Sequence, residues 1–215
     1  MKLGGVALIA LAAALLSSCA SPTGSDAVTD PDAPVVAFYG DSYTLGTGLA
    51  DLSGRWSTVI CEDRGWREFN PSVNGLGFVN NRSTQNLPEQ IVAEDPDIVF
   101  VTMGLNDNFS YDRVGTGIRD QIAADFEYLT TELPDARFIV VEPFWYTDER
   151  PESVEIIIDW VHDAAEREGA DWIPGASHWI EGHPEWMAGD GLHPNEDGYA
   201  EMTRRMDAEL TLLGL

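Results

Sequence analysis

Three short polar segments of the sequence contain residue types that could act together in nucleophilic chemistry. They are Gly40-Asp41-Ser42-Tyr43, Gly104-Leu105-Asn106-Asp107 and Asp190-Gly191-Leu192-His193-Pro194. A serine hydroxyl becomes a useful nucleophile when a histidine accepts its proton, and an acid can orient and stabilise that histidine. Taken alone, each segment is also ordinary turn sequence, because Gly, Asp, Asn and Pro favour turns. Their significance therefore depends on where the fold places them.

The surrounding sequence alternates short apolar runs with longer amphipathic ones. Runs rich in β-branched and aromatic residues predict buried parallel strands at 35–39, 97–102 and 137–141, with shorter candidates at 66–69 and 171–173. Helices are predicted at 53–64, 84–94, 113–133, 152–168 and 196–213. This alternation predicts an α/β fold with three layers, α/β/α, around a five-stranded parallel sheet. Ligands bind such sheets at the carboxyl ends of the strands, where the polar segments begin.

The other histidines compete with His193 for the role of a base. Asp159 and His162 have the same Asp-x-x-His spacing as Asp190 and His193. Both fall on the polar face of the predicted helix 152–168, away from the strand ends, which favours a surface pair. His178 and His183 have no acid three residues before them. We therefore favour His193.

In this order and at these strand ends, the segments resemble the SGNH hydrolase family, also called GDSL-type esterases. The resemblance covers residues 35–213. The family is named after a serine, a glycine, an asparagine and a histidine in four blocks, which Ser42, Gly75, Asn106 and His193 match here, the last together with Asp190. Gly77 is an open alternative for the glycine, because it lies two residues further on. The letters GDSL stand for the sequence Gly-Asp-Ser-Leu, and this chain has Tyr43 in place of the leucine.

The resemblance implies the SGNH hydrolase fold, with a flavodoxin-like five-stranded sheet, and a serine esterase or acyl hydrolase. Ser42 would form an acyl-enzyme, with His193 as its base and Asp190 as the acid behind the histidine. The oxyanion would be held by the backbone N–H groups of Ser42 and Gly75 and by the side-chain amide of Asn106. We also expect Asp41 and Asp107 to brace their loops by accepting backbone hydrogen bonds.

Other kinds of chemistry are excluded or disfavoured by composition. The only lysine is Lys2, and 12 Lys and Arg stand against 37 Asp and Glu, a net charge of −25. Nucleic-acid binding is therefore not expected, because it needs clustered cations. Neither Gly-x-Ser-x-Gly nor His-Glu-x-x-His occurs, and no cysteine pair has metal-ligand spacing, so we expect no metal and no cofactor. Cys61 is expected to be a packed hydrophobic residue.

The N-terminus predicts export. Residues 1–18 have a positive start and an apolar core too short for a good membrane span, as in a signal peptide. Leu16-Ser17-Ser18-Cys19 resembles the lipobox of bacterial lipoproteins, in which the cysteine is acylated. We expect a lipid on Cys19 as the only membrane contact, a flexible tether over 19–34 and one catalytic domain over 35–215. The location would be the outer face of the bacterial cell membrane, or the protein would be secreted.

The substrate is only indirectly indicated. Aromatic residues near strand ends or before Asp190 are candidates for the pocket, together with the residue after Ser42: Tyr43, Trp145, Tyr146, Trp179 and Trp186. We expect a monomer that acts on an uncharged small-molecule or carbohydrate ester, for example an O-acetyl or short acyl ester of a sugar. Two alternatives remain open: an acyltransferase that passes the acyl group from Ser42 to a sugar, and a non-catalytic carbohydrate-binding lipoprotein on the same scaffold.

Overall fold

The computed structural model describes residue 1 and residues 30–215. The predicted signal peptide, Cys19 and the tether up to residue 29 lie outside this described part. Within it, one parallel sheet has the strand order β2-β1-β3-β4-β5. The strands are β1 (Val35–Tyr39), β2 (Arg67–Phe69), β3 (Ile98–Val101), β4 (Arg137–Val141) and β5 (Asp171–Ile173). All four pairings are parallel.

Helices cover both faces of the sheet. They are α1 (Ser42–Leu45), α2 (Trp56–Arg64), α3 (Leu87–Glu94), α4 (Tyr111–Val114), α5 (Thr116–Glu132), α6 (Glu152–Glu168) and α7 (Glu196–Leu212). The apolar sides of α2 and α7 pack on one face, against residues such as Phe38 and Phe100. The apolar sides of α3, α5 and α6 pack on the other face, against residues such as Val99 and Val140. The predicted three-layer α/β/α fold is therefore confirmed.

The central strands are apolar on both faces because both faces are covered. All residues of β1 and β3 are buried, as near-continuous apolar runs in a parallel sheet require. In α6, Val154, Ile157 and Val161 are buried at the spacing that the sequence predicts. Within residues 30–215, no helix combines the length and apolar character that a membrane crossing requires.

Three helices begin later than the sequence pattern predicts. Residues Leu52–Gly54 form a separate 3₁₀ turn before α2, and Arg82–Thr84 form another before α3. The long helix α5 starts at Thr116 because Gly115, with φ of 56°, interrupts the preceding short helix. Local turn chemistry therefore shortens these helices at their N-termini.

The order of the strands brings the loops after β1 and β3 together. These strands are neighbours, and Tyr39 at the end of β1 pairs with Val101 at the end of β3. Ser42 and Asn106 follow those two ends by three and five residues. The sheet therefore presents both side chains at its carboxyl edge.

Candidate active site

Ser42 lies in a tight turn directly after β1. It begins α1, and Asp41 caps this helix because its Oδ1 accepts a 3.0 Å hydrogen bond from the Tyr43 N–H. Gly40 leaves no room for a side chain, since a Cβ there would lie 2.5 Å from the Cβ of Thr44. The turn buries Ser42 to 4% exposure and holds it at the sheet edge.

Asp190 and His193 form a preorganised pair on the loop before α7. The Nδ1 atom of His193 lies 2.6 Å from Oδ2 of Asp190, and Oδ1 of Asp190 accepts the N–H groups of Leu192 at 2.9 Å and His193 at 3.0 Å. These hydrogen bonds, that from the His193 side chain first, lower the pKa of Asp190 to about 2. Asp190 is therefore an ionised carboxylate at neutral pH, aimed at one nitrogen of the His193 ring.

The Ser42 turn and the His193 loop are joined by direct contacts. The Tyr43 hydroxyl donates to the carbonyl oxygen of Leu192 at 2.7 Å. Gly48, with φ of 106°, lets the chain after α1 press against the loop, since a Cβ there would lie 2.2 Å from the Pro194 oxygen and 3.2 Å from the Cβ of His193. Within residues 30–215 no hydrogen bond links Ser42 Oγ to His193. Catalytic hydrogen bonds of this kind often form fully only when substrate is bound.

Asn106 lies in the 3₁₀ turn Leu105–Ser110, which follows β3. Its side-chain nitrogen donates to Oδ2 of Asp41 and to the carbonyl oxygen of Leu76, each at 3.0 Å. The amide therefore connects the Ser42 turn to the glycine loop. Both of its N–H groups have protein acceptors, so Asn106 can reach an oxyanion only by sharing or exchanging one of these bonds.

The two glycines of the glycine loop have different roles. The Gly77 N–H donates to the Asn80 oxygen at 2.9 Å, and a Cβ on Gly77 would lie 2.5 Å from Oδ2 of Asp107. The Gly75 carbonyl oxygen accepts the side-chain amides of Asn80 and Asn81 at 2.7 and 2.9 Å. Among the described residues the Gly75 N–H has no acceptor, so of the two glycines it is the one whose N–H a ligand can use.

Asp107 braces the glycine loop. Its carboxylate accepts the backbone N–H groups of three consecutive residues, Phe78 at 2.7 Å, Val79 at 2.8 Å and Asn80 at 3.1 Å. Burial nevertheless raises the pKa of Asp107. Burial also raises the pKa of Asp41, to about 7. The hydrogen bond from the Tyr43 N–H lowers this pKa, because it favours the ionised form, but burial has the larger effect.

A cleft of about 840 Å³ opens beside the Asp190–His193 loop. Trp145 and Tyr146 line it from the segment after β4, and Met187, Ala188 and Gly189 line it from the segment that leads to Asp190. Trp145 and Tyr146 therefore line an open cavity that Gly189 and Gly191, the neighbours of Asp190, also line, and their role in substrate binding stays a prediction.

The structure corrects the predicted pocket positions of three other aromatic residues. Tyr43 is 1% exposed and stacks on Phe144, with ring centroids 5.6 Å apart. Trp179 is also buried, and Trp186 stacks on His183 with centroids 3.6 Å apart. None of the three lines the cleft. The rings of Tyr43 and Trp179 are used in internal packing, and the half-buried Trp186 packs on His183, which a sequence pattern near a strand end does not reveal.

Phe109 is an aromatic residue that sequence reasoning missed. It is 56% exposed and lies three residues after Asn106. Its ring centroid is 6.5 Å from that of Trp145, which lines the cleft, although Phe109 itself does not. The only signal in the sequence was an aromatic residue three positions after Asn106, and its exposure is known only from the structure.

The remaining histidines pair with residues outside the Ser42 turn. His162 stacks on Trp172, with centroids 4.6 Å apart, and lies 3.8 Å from Glu166 rather than pairing with Asp159. His178 pairs with Glu181, and His183 with Glu185 at 2.8 Å. Cys61 is buried with a raised thiol pKa, caused by its burial, so it is not a reactive thiolate.

Comparison with known proteins identifies the family. The family model of the GDSL-like lipase/acylhydrolase family matches residues 38–201, a span that contains Ser42, Gly75, Asn106, Asp190 and His193. The GDSL lipase Rv0518 of Mycobacterium tuberculosis is 26% identical in an alignment of 175 residues that covers 76% of this chain and 76% of that protein.

Solved structures share the fold. The crystal structure of TesA has a TM-score of 0.69 and 20% identity, over 83% of this chain and 99% of TesA. The acetylxylan esterase Axe2 of Geobacillus stearothermophilus has a TM-score of 0.61 and 19% identity, over 80% of this chain and 92% of Axe2. Because the family model spans most of the chain, the protein belongs to the GDSL-like lipase/acylhydrolase family and is a serine-dependent carboxylic ester hydrolase.

Proposed function

We propose that Ser42 is the nucleophile, His193 its base and Asp190 the acid that orients His193. The observation that carries this proposal is the 2.6 Å Asp190–His193 pair, on a loop that Tyr43 and Gly48 join to the Ser42 turn. With Nδ1 of His193 held by the carboxylate, Nε2 is the ring nitrogen left for the Ser42 hydroxyl.

The proposed reaction has two steps. Ser42 Oγ attacks the ester carbonyl carbon while its proton passes to His193 Nε2, and the carbonyl oxygen becomes an oxyanion. The bond to the alcohol oxygen then breaks, and His193 returns the proton to the departing alcohol. Water, deprotonated by His193, then attacks the acyl carbon; the bond to Ser42 Oγ breaks, His193 returns the proton to Ser42 Oγ, and the carboxylic acid is released. Asp190 remains ionised throughout and stabilises the protonated His193.

We propose the N–H groups of Ser42 and Gly75 and the Asn106 amide as the oxyanion donors. Gly75 is preferred over Gly77 because the Gly77 N–H is already donated to Asn80. Asn106 would turn one of its N–H groups from Leu76 or Asp41 to the oxyanion as charge develops. Removing one such donor typically costs about 10²–10³ in rate.

The proposed substrate is an uncharged ester with a short acyl group, such as an O-acetyl group on a carbohydrate. The net charge of −25 disfavours anionic substrates. The similarity to the fold of an acetylxylan esterase makes a sugar ester a reasonable candidate, and the open cleft leaves room for a bulky alcohol portion.

The direct test compares three alanine variants on a short-chain aryl ester. We expect Ser42→Ala and His193→Ala to abolish hydrolysis while the circular dichroism spectrum stays unchanged. His162→Ala, the control with the same Asp-x-x-His spacing, should keep near-normal activity. Full activity in either of the first two variants would refute the assignment. Product analysis with a sugar acceptor present would show whether the acyl group passes to water or to the sugar.

We also propose that the protein is exported and carries a lipid on Cys19. The support is the sequence Leu16-Ser17-Ser18-Cys19 at the end of a short apolar segment. Mass spectrometry of the mature N-terminus from the native host tests this, and an unmodified Cys19 would contradict it.

A further inference from the structure

Gly75, the proposed oxyanion donor of the glycine loop, lies in a tight turn. The Leu76 N–H donates to the Val73 carbonyl oxygen at 3.2 Å and closes the turn, in which Gly75 has φ of 72°. Glycine has more backbone freedom than any other residue, so its N–H keeps one direction only if contacts from outside the turn hold the groups beside it. Such contacts are present on both sides of Gly75.

Two asparagine side chains hold the carbonyl side of Gly75. The Gly75 carbonyl oxygen accepts Asn80 Nδ2 at 2.7 Å and Asn81 Nδ2 at 2.9 Å. A carbonyl oxygen has two lone pairs, so these two bonds use its full accepting capacity. Asn81 adopts a left-handed conformation with φ of 54°, which asparagine tolerates better than most residues. The direction of the Gly75 carbonyl is therefore set by side chains from outside the turn.

On the amino side of Gly75, the Asn74 side chain is held by the loop that follows α1. Asn74 Oδ1 accepts the hydroxyl of Thr47. The backbone of Thr47 is itself fixed, because its N–H donates to the Ser42 carbonyl oxygen at 3.0 Å and its carbonyl oxygen accepts the Tyr199 hydroxyl, also at 3.0 Å. The residue before Gly75 is therefore tied to the Ser42 turn.

Asn80 is the most firmly anchored of the three asparagines. Its Oδ1 accepts the Ser110 hydroxyl at 2.7 Å, and its backbone N–H donates to Asp107 Oδ1 at 3.1 Å. Ser110 is the last residue of the 3₁₀ turn that contains Asn106. The orientation of the Asn80 amide is unambiguous, because the Gly75 carbonyl can only accept and must face Nδ2. One amide group therefore connects the loops that supply two of the proposed oxyanion donors.

We infer that Asn80, supported by Asn81, is a positioning residue of the oxyanion hole, which holds the Gly75 carbonyl so that the Gly75 N–H points to the oxyanion. The inference rests on the proposed function, because Gly75 must be an oxyanion donor for its direction to affect the rate. Neither asparagine takes part in the proposed proton transfers. Since the loss of one donor costs about 10²–10³ in rate, the displacement of a donor should cost less than that.

Steady-state kinetics on a short-chain aryl ester test the inference with variants that leave the donors in place. We expect Asn80→Ala to lower kcat about tenfold with KM within about twofold, because only stabilisation of the oxyanion is weakened. Asn81→Gly keeps the positive φ without strain and leaves Asn80 on the carbonyl, so kcat should fall only about two- to threefold.

Asn108→Ala is the matched control. Asn108 lies in the same 3₁₀ turn as Ser110, and its Oδ1 accepts the Ser153 hydroxyl at 2.6 Å. The variant therefore removes a serine-to-asparagine hydrogen bond of nearly the same length, and within residues 30–215 Asn108 makes no side-chain hydrogen bond to the glycine loop. Its kcat should stay within about twofold of wild type. Urea denaturation shows whether the two variants lose similar stability.

A transition-state analogue gives a readout that a merely structural role would not move. Ser42 Oγ adds to the boron of phenylboronic acid, the serine proton passes to His193, and the boron becomes a tetrahedral anion that resembles the ester intermediate. Asn74-Gly75 is the only Asn-Gly sequence in the chain. Protein labelled with ¹³C-carbonyl asparagine and ¹⁵N-glycine therefore gives a single HNCO peak, that of the Gly75 N–H.

In wild type, we expect phenylboronic acid to move the Gly75 amide proton to lower field, because the N–H takes up a hydrogen bond to an oxygen of the boronate. The displacement should be smaller in Asn80→Ala. The inhibition constant of phenylboronic acid should rise in this variant by about the same factor, tenfold, by which kcat/KM falls. If Asn80→Ala does not fold, Asn81→Gly takes its place in both measurements.

The outcomes separate the inference from the proposed function. An unchanged kcat in Asn80→Ala overturns the positioning role, and so does an equal loss of kcat in Asn108→Ala. A Gly75 peak that moves as far in Asn80→Ala as in wild type also overturns it. If phenylboronic acid inhibits wild type while the Gly75 peak stays in place, Gly75 is not an oxyanion donor, and the proposed oxyanion hole fails together with the inference. Full activity in Ser42→Ala refutes the proposed nucleophile instead.

Discussion

The Tyr43 hydroxyl donates a 2.7 Å hydrogen bond to the carbonyl oxygen of Leu192. Tyr43 directly follows the proposed nucleophile, and Leu192 directly precedes the proposed base. The Tyr43 ring is buried and stacked on Phe144, so the hydroxyl has little freedom to move. A leucine, the residue of the family nickname, could pack here but could not make this bond. In this chain, one side chain therefore connects the two halves of the proposed site.

Tyr43→Phe should lower kcat about tenfold and leave KM within about twofold. The variant keeps the packed ring and loses only the hydroxyl, which costs about 1 kcal/mol of stability. Small displacements of a catalytic base have large effects on rate, because the reacting atoms must be aligned. Steady-state kinetics on a short-chain aryl ester measure both constants.

A second tyrosine variant is the control for the role of the Tyr43 hydroxyl in positioning His193. Tyr39→Phe removes another buried hydroxyl, which donates to Asp125 Oδ2 at 2.6 Å and contacts neither Ser42 nor the His193 loop. It should destabilise the protein at least as much as Tyr43→Phe, with a smaller effect on kcat. If both variants lower kcat equally, the Tyr43 hydroxyl has only a structural role.

Asp190→Asn should lower kcat by about 10² or more while the fold is retained. An amide cannot stabilise a protonated His193 as a carboxylate does, and it can present an N–H to the ring nitrogen that Asp190 now holds at 2.6 Å. Glu185→Gln is the matched control, because Glu185 forms the same kind of pair with His183 at 2.8 Å. Equal losses in the two variants would argue against a special role for Asp190.

Gly77→Ala should destabilise the protein by about 1–3 kcal/mol. Its Cβ would lie 2.5 Å from Oδ2 of Asp107 and would push this carboxylate away from the three N–H groups that it accepts. Urea denaturation measures the change. Asp107→Ala removes both the carboxylate that the new Cβ would touch and the hydrogen bonds that brace the loop. In the double variant, Gly77→Ala should therefore cost little further stability, so that the two losses of unfolding free energy are far from additive. Additive losses would show that Gly77 and Asp107 act independently.

The central strands β1, β3 and β4 were predictable from sequence because they are buried on both faces of the sheet, whereas the edge strands β2 and β5 are only partly buried. The predicted ranges 137–141 and 171–173 coincide with β4 and β5, whose apolar runs are bounded by polar residues or turns. Helix starts were less predictable, since amphipathic periodicity continues into neighbouring 3₁₀ turns. Ser53, for example, lies in the turn capped by Asp51 and not in α2.

For the candidate site, the sequence predicted which loops meet but not how the aromatic residues are used. Ser42 and Asn106 could be placed because they follow neighbouring strands. Trp179 and Phe109 could not be distinguished, because burial of one ring and exposure of the other depend on distant packing partners. The sharing of the Asn106 amide between Asp41 and Leu76 is also a tertiary feature, with no signature in either segment.

Asp41 should make the stability of the protein depend on pH between about 4 and 7. Burial raises its pKa in the folded state to about 7 from an unfolded value of 3.8, so in this range the folded state binds more protons at this group than the unfolded state. Linkage then requires the contribution of Asp41 to stability to fall as pH rises through the window, by at most about 1.4 kcal/mol per pH unit, and to level off above about 7.

Urea denaturation of wild type and Asp41→Asn at pH 5, 6, 7 and 8 isolates this contribution, because every other acid is common to both proteins. An asparagine can still accept the Tyr43 N–H through its oxygen, but it carries no titrating proton. We expect the stability of wild type relative to the variant to fall from pH 5 to pH 7 and to change little from pH 7 to pH 8. A difference that is constant over the whole series would mean that Asp41 keeps one charge state in the folded protein. The hydrogen bonds from Tyr43 and Asn106 would then outweigh the cost of burying the carboxylate.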